Sequence, residues 1–200
     1  MQRRSLAGAI NYYVLSMGEM ISTMLLWVIP KATLSLLAGL GIPRFQYDLA
    51  RAYYTARFGE QSPGKAAMWC RRAAERGWPP AESLLASFYV AAFGVPEDPD
   101  QVFYWNRRAA EHDDAWGQSA LAWCYQQGVG TKPDPELAFK WWLEAAQQGL
   151  PEAQYAVAHC LFSGAGTPRD IEMADQWCRL ALKSGAESAA ELLRLIEAAA

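Results

Sequence analysis

The sequence predicts an all-α fold: a right-handed α-solenoid of about four 36-residue helix-turn-helix repeats, with a hydrophobic N-terminal helical segment and a C-terminal capping helix. Three observations carry this expectation. Trp69, Trp105, Trp141 and Trp177 stand 36 residues apart. The same shift superimposes the small pairs Ala73-Ala74, Ala109-Ala110 and Ala145-Ala146 with Ala181-Leu182, and it aligns Leu49, Leu85, Leu121 and Val157 upstream. Residues that favour helix starts, Ser62, Asp98, Asp134 and Asp170, keep the same interval. A helical hairpin cannot bury its own apolar face, so hairpins recurring at a fixed period stack into a shared core. At 200 residues, with 52% hydrophobic and 20% charged side chains, the chain has the apolar content to form one.

Taken in order, residues 1–42 differ from the rest. Met1-Gln2-Arg3-Arg4 precedes an apolar stretch broken by Glu19, Pro30 and Lys31, and the segment carries +2 against −5 for the remainder. Two readings stand. A basic start followed by an apolar run suits a membrane anchor or membrane-surface helix, although Glu19 or Lys31 would fall inside most spans at high cost. Alternatively the segment is a degenerate unit. One period back, Leu37-Ala38 falls on the Ala pair, Gly41 on Gly77 and Pro43 on Pro79. Residues 31–41 then form a second helix, covered by a helix from about Leu6 to Val28. Such an apolar cap would also serve as a homodimer interface. A cleaved export signal fits less well, because the run is long and lacks a small-x-small cleavage site.

The repeats follow as 45–80, 81–116, 117–152 and 153–188. In each, a first helix buries a stripe such as Leu121, Ala122 and Tyr125. A turn follows, Gly128-Val129-Gly130 in the third unit and Gly164-Ala165-Gly166 in the fourth. Pro63, Pro99 and Pro135 sit at the first position of the second helix, where a missing N–H costs nothing. That helix passes through the Trp and the small pair and stops near Gly77, Gly149 and Gly185. The second unit has Asp113 there and is expected to end less tidily. The first unit, with Phe58-Gly59 in its turn and Asp48 beside Leu49, is expected to be irregular. Residues 189–200, with Leu192, Leu193 and Ile196 at helical spacing, form the cap.

Composition excludes several function classes. A net charge of −3 argues against nucleic-acid binding. Two histidines, four scattered cysteines and the absence of the common metal, nucleotide and nucleophile motifs predict no metal, no cofactor and no catalysis. His159 and Cys160 are sequence neighbours, so on a helix their side chains diverge by about 100°. Cys160 with Cys178 is the one conceivable bridge; reduced thiols and a cytoplasmic site are expected. The pairs Arg71-Arg72 and Arg107-Arg108 read either as a solvated face or as a site for an acidic partner or anionic lipid.

The third unit, with Leu121, Ala122, Tyr125, Gly128, Gly130, Asp134, Ala138, Trp141, Ala145, Ala146 and Gly149, resembles the Sel-like repeat family, relatives of tetratricopeptide repeats. The resemblance covers residues 45–188. It implies a non-catalytic scaffold or adaptor that binds a protein or peptide partner, or alternatively a membrane-tethered adaptor or a toxin-neutralising, immunity-type protein. By analogy with tetratricopeptide repeats, a second stripe on the first helices should line the inner curved surface: Tyr47, Arg51, Tyr54; Ser83, Ser87, Val90; Ser119, Trp123, Gln126; and Tyr155, His159, Phe162, with Trp116 nearby. Aromatic and arginine side chains there suit a binding groove. The competing expectation is that these rings pack between neighbouring first helices.

Overall fold

The computed structural model describes residues 29–59 and 61–199. They form ten helices and no strand. A short helix, α1 (Lys31–Gly39), leads into four hairpins: α2 (Pro43–Tyr54) with α3 (Pro63–Glu75), α4 (Pro79–Val90) with α5 (Pro99–Glu111), α6 (Ala115–Gln127) with α7 (Pro135–Gln147), and α8 (Pro151–Ser163) with α9 (Ile171–Lys183). Helix α10 (Ala189–Ala199) closes the row, burying Leu192 and Ile196. Consecutive helices make the main contacts; first helices of neighbouring units also touch, as α4 touches α6. This is the expected α-solenoid. The helix expected before residue 29 lies outside the described residues.

Local chemistry sets every boundary. Proline occupies the first turn of α2, α3, α4, α5, α7 and α8. Asp98, Asp134 and Asp170 cap second helices: the N–H groups of Gln101, Leu137 and Met173 donate to their carboxylates at 3.1, 3.0 and 2.9 Å. Ser62 has the expected position but accepts no such bond, so α3 starts on its proline alone. The far ends share a two-bond closure. The N–H of Gly77 donates to Ala74 O and that of Trp78 to Ala73 O; Asp113 and Asp114, Gly149 and Leu150, and Gly185 and Ala186 repeat the pattern. The small pair therefore supplies the last carbonyls as well as a surface that lets helices approach. Asp113 takes φ +63, so the second unit ends as its sisters do despite lacking glycine.

The first helices end on a left-handed residue too: Ala56, Ala92, Gly128 and Gly164. A Cβ in this conformation costs about 1 kcal/mol. Ala92→Gly is expected to raise stability by about 0.5 kcal/mol, the relief of strain exceeding the added freedom of the unfolded chain; a lower denaturant midpoint would contradict this. Two residues further on, Gly94, Gly130 and Gly166 lie against the Pro63, Pro99 and Pro135 carbonyls of the preceding second helix, where no side chain fits. In the first unit Phe58 stands there instead and packs edge-on against Tyr53 at 6.4 Å, which is the irregularity the sequence announced.

Alanine dominates the core: Ala50, Ala86, Ala122 and Ala158 on first helices, and Ala73, Ala109, Ala145 and Ala181 on second ones, are almost fully buried. Of the periodic indoles, Trp105 is buried, while Trp69, Trp141 and Trp177 are half-buried against the core. The buried side chains fall into two clusters meeting at α6, where Cys124 belongs to one and Ala122 to the other.

One periodic position escaped the sequence reading because it is polar. Gln46, Glu82, Gln118 and Gln154 are each buried on a first helix. Gln46 Nε2 donates to Ala38 O (3.2 Å) and Gln154 Nε2 to Ala146 O (3.3 Å), tying each first helix to the end of the helix before it. Glu82 cannot donate. Its partners come from α5 and the residue that ends it, with Arg108 Nη2 3.1 Å from Oε1 and His112 Nδ1 2.8 Å from Oε2.

Candidate partner-binding surface

The predicted row separates into parts with different roles. Ser83, Ser87 and Val90 on α4 and Trp116, Ser119 and Trp123 on α6 come together around one open groove of about 450 Å³. Trp116 is 61% exposed and Trp123 43%. A side chain that large left in water is worth explaining, since burying it is the usual outcome. Two of the three serine hydroxyls are committed to the scaffold. Ser83 Oγ donates to Asp114, the N-cap of α6, and Ser87 Oγ to Leu84 O (2.7 Å). The groove surface is therefore apolar, although serines line it.

Sequence reasoning missed the floor. Val102 and Asn106 come from α5, a second helix, and Ala120 from α6. The available signal was a break in period. Position 106 corresponds to Cys70, Trp142 and Cys178. Cys70 Sγ and Cys178 Sγ donate to Ala81 O (3.2 Å) and Ala189 O (3.1 Å), whereas Asn106 Nδ2 points to Cys124 Sγ at 3.7 Å.

Gln126, Tyr155 and His159 line a smaller groove of about 230 Å³ one unit along, with Trp142, Ala156 and Cys160. The Tyr155 and His159 rings are 6.4 Å apart. At the first unit the packing expectation describes the side chains better. Tyr54 has its ring 5.4 Å from Phe88 and 5.1 Å from Phe93, and Arg51 lies over the Tyr47 ring at 5.7 Å. Phe162 is half-buried beneath Arg169, 5.5 Å away. The paired arginines are likewise engaged. Arg71 reaches Tyr89, Arg72 lies over Trp69, Arg107 pairs with Glu111 and Arg108 with Glu82.

Burial raises all four thiols above the ordinary range, Cys160 to about 11, and none is paired with another. His159 is exposed and Cys160 is buried. Among the described residues no helix is long and apolar enough to cross a membrane.

Asp48 occupies the position that Leu84, Ala120 and Ala156 hold in the other units. Its side chain is only 10% exposed, with Arg44 Nε 4.0 Å away. Burial lifts its carboxyl from 3.8 to about 6, and Arg44, Arg51 and Arg57 offset part of that rise. The folded state therefore holds this proton more tightly than the unfolded chain. The protonated group's contribution is complete below pH 3.8 and is lost as pH rises through about 6. Asp48→Asn is expected to stabilise the protein at pH 7.5 by about 1–2 kcal/mol and to leave it unchanged at pH 3.5. Melting curves at the two pH values check this; an equal shift at both contradicts it.

Helical hairpins stacked with small residues at each contact, and with a groove opening between first helices, define a solenoid repeat protein. The Sel1 repeat family model matches residues 35–78, 79–114, 117–150 and 151–185, and the chain belongs to that family. Proteins built from this repeat are generally protein-interaction scaffolds and are typically non-enzymatic. Among solved structures, a Sel1 repeat protein from Oxalobacter formigenes is 30% identical with a TM-score of 0.73, covering 78% of this chain and 62% of its own. A protective antigen of uropathogenic Escherichia coli displaying an SLR fold is 32% identical with a TM-score of 0.76, covering 78% and 34% respectively. The chain thus spans less than two thirds of either protein's length. Helicobacter pylori cysteine rich protein B, at 17% identity and a TM-score of 0.55, shares the fold. Comparison with curated proteins finds no significant match.

Proposed function

We propose that this chain is a non-catalytic scaffold that binds a protein or peptide partner along its row of first helices. One observation supports this above the others: Trp116 and Trp123 stand exposed two turns apart along the α6 wall of an apolar groove, in a chain whose periodic indoles are all tucked at least halfway into the core. Large exposed aromatics at the rim of a concavity are the usual anchors of protein recognition. The four unpaired buried thiols suit a reducing compartment.

Affinity capture with the full-length chain identifies the partner, and titration then measures it. Trp123→Ala is expected to weaken binding at least about tenfold, and Tyr155→Ala severalfold, with melting temperatures close to that of the parent. Unchanged binding in both variants overturns the reading. Tethering through residues 1–42 is checked separately by carbonate extraction of a membrane fraction, where release into the soluble phase removes the anchor.

A further inference from the structure

The α4/α6 groove has a sister one unit along, and the two differ in what occupies them. A shift of 36 residues carries Asn106 onto Trp142 and Ser119 onto Tyr155. In the sister groove those two rings stand in the space and leave about 230 Å³; where Asn106 and Ser119 take their places, about 450 Å³ lies open. The repeat itself thus shows which chemistry fits this hollow, because it supplies aromatic rings at the equivalent site.

Two further features narrow the occupant. The Nδ2 group of Asn106 is turned toward Cys124 Sγ, which leaves its Oδ1 as an acceptor suited to an indole N–H. An adjoining hollow of about 280 Å³ shares Val90, Val102 and Trp123 with the groove and is lined by Glu97. Among the described residues Glu97 is the only charged side chain lining either hollow, so the charge that complements the site is positive.

We propose that this groove is an anchor subsite for an aromatic side chain, best a tryptophan, in a peptide segment of the partner, with a neighbouring lysine or arginine directed to Glu97. The inference deepens the scaffold reading and rests on it. The incoming ring packs against Trp123 and Trp116 over Val102, in the offset or edge-on arrangements that aromatic quadrupoles favour.

The test uses the full chain labelled with ¹⁵N and the capped peptide acetyl-Gly-Trp-Lys-Gly-amide. Saturable shifts of the Trp116 and Trp123 indole N–H and Asn106 side-chain amide resonances are expected. Exchanging the peptide's tryptophan for alanine should weaken binding at least about tenfold, and exchanging its lysine for norleucine should weaken it severalfold and remove the salt dependence. Asn106→Trp installs the sister unit's own residue and should abolish the shifts while the helical circular dichroism is retained. Ser119→Tyr blocks the groove independently, and the parent-chain shift map stands whichever variant folds. The proposal is overturned if the peptide perturbs other surfaces or none, if the alanine peptide binds equally well, or if a folded, blocked variant binds like the parent. A natural partner that binds both blocked variants normally yet is lost on Tyr155→Ala removes the subsite and leaves the scaffold reading standing.

Discussion

Arg108→Met is expected to cost about 3 kcal/mol of stability at neutral pH. The reason lies with the residue left behind. Glu82 is fully buried, and Arg108 is the cation paired with its carboxylate, with His112 Nδ1 2.8 Å from the other oxygen. Removing the arginine strands a charge in the interior; Arg108 itself is 26% exposed and could turn to water if the glutamate were removed instead. Glu82→Gln is therefore expected to change stability by less than about 1 kcal/mol. The first and fourth units show what an amide can do there, since Gln46 and Gln154 donate to carbonyls equivalent to that of Ala74, while Gln118 donates to Asp113 Oδ1. In the Glu82→Gln background, Arg108→Met should cost little. Urea unfolding of the four proteins gives the coupling directly, and a coupling of about 2 kcal/mol is expected. Additive losses would mean that the pair is energetically idle.

Gly130→Ala is expected to destabilise by about 3 kcal/mol or more. Its φ is +64, and a Cβ would meet the carbonyl of Pro99 and the Phe103 side chain on the preceding hairpin. Gly149 separates the two causes. It has φ +92 with nothing within 4 Å of the added carbon, so Gly149→Ala should carry the conformational penalty alone, about 1 kcal/mol. Denaturant midpoints at unchanged slope measure both. Equal losses would show that the close approach of Gly130 to Pro99 contributes nothing.

The helical hairpins were legible because their causes are local. Proline at a first turn, aspartate at a cap and a left-handed residue at an end act within a few residues, and repetition multiplies the signal. Asp113 shows where that reasoning stops: the closure is fixed by backbone bonds to Ala109 and Ala110, which an aspartate can also adopt. The buried Gln46, Glu82, Gln118 and Gln154 were as periodic as the indoles, but a search for apolar stripes passes over them. Five groove residues were named from the first-helix stripe and Trp116 beside it, while Val102 and Asn106 were missed because they belong to another helix with its own periodicity. Tyr54 belonged to the stripe by spacing, yet Phe88 and Phe93 claim its ring, contacts that arise only between units.

The meeting of two buried clusters at α6 bears on how the molecule responds to load. Interactions pass mainly from neighbour to neighbour, so the two halves can melt in separate steps, with α6 as the joint between them. An occupant wedged between α4 and α6 would act as a rivet across that joint. Its signature in a calorimeter would be a sharpened, single endotherm, so that occupancy registers as cooperativity along the whole rod.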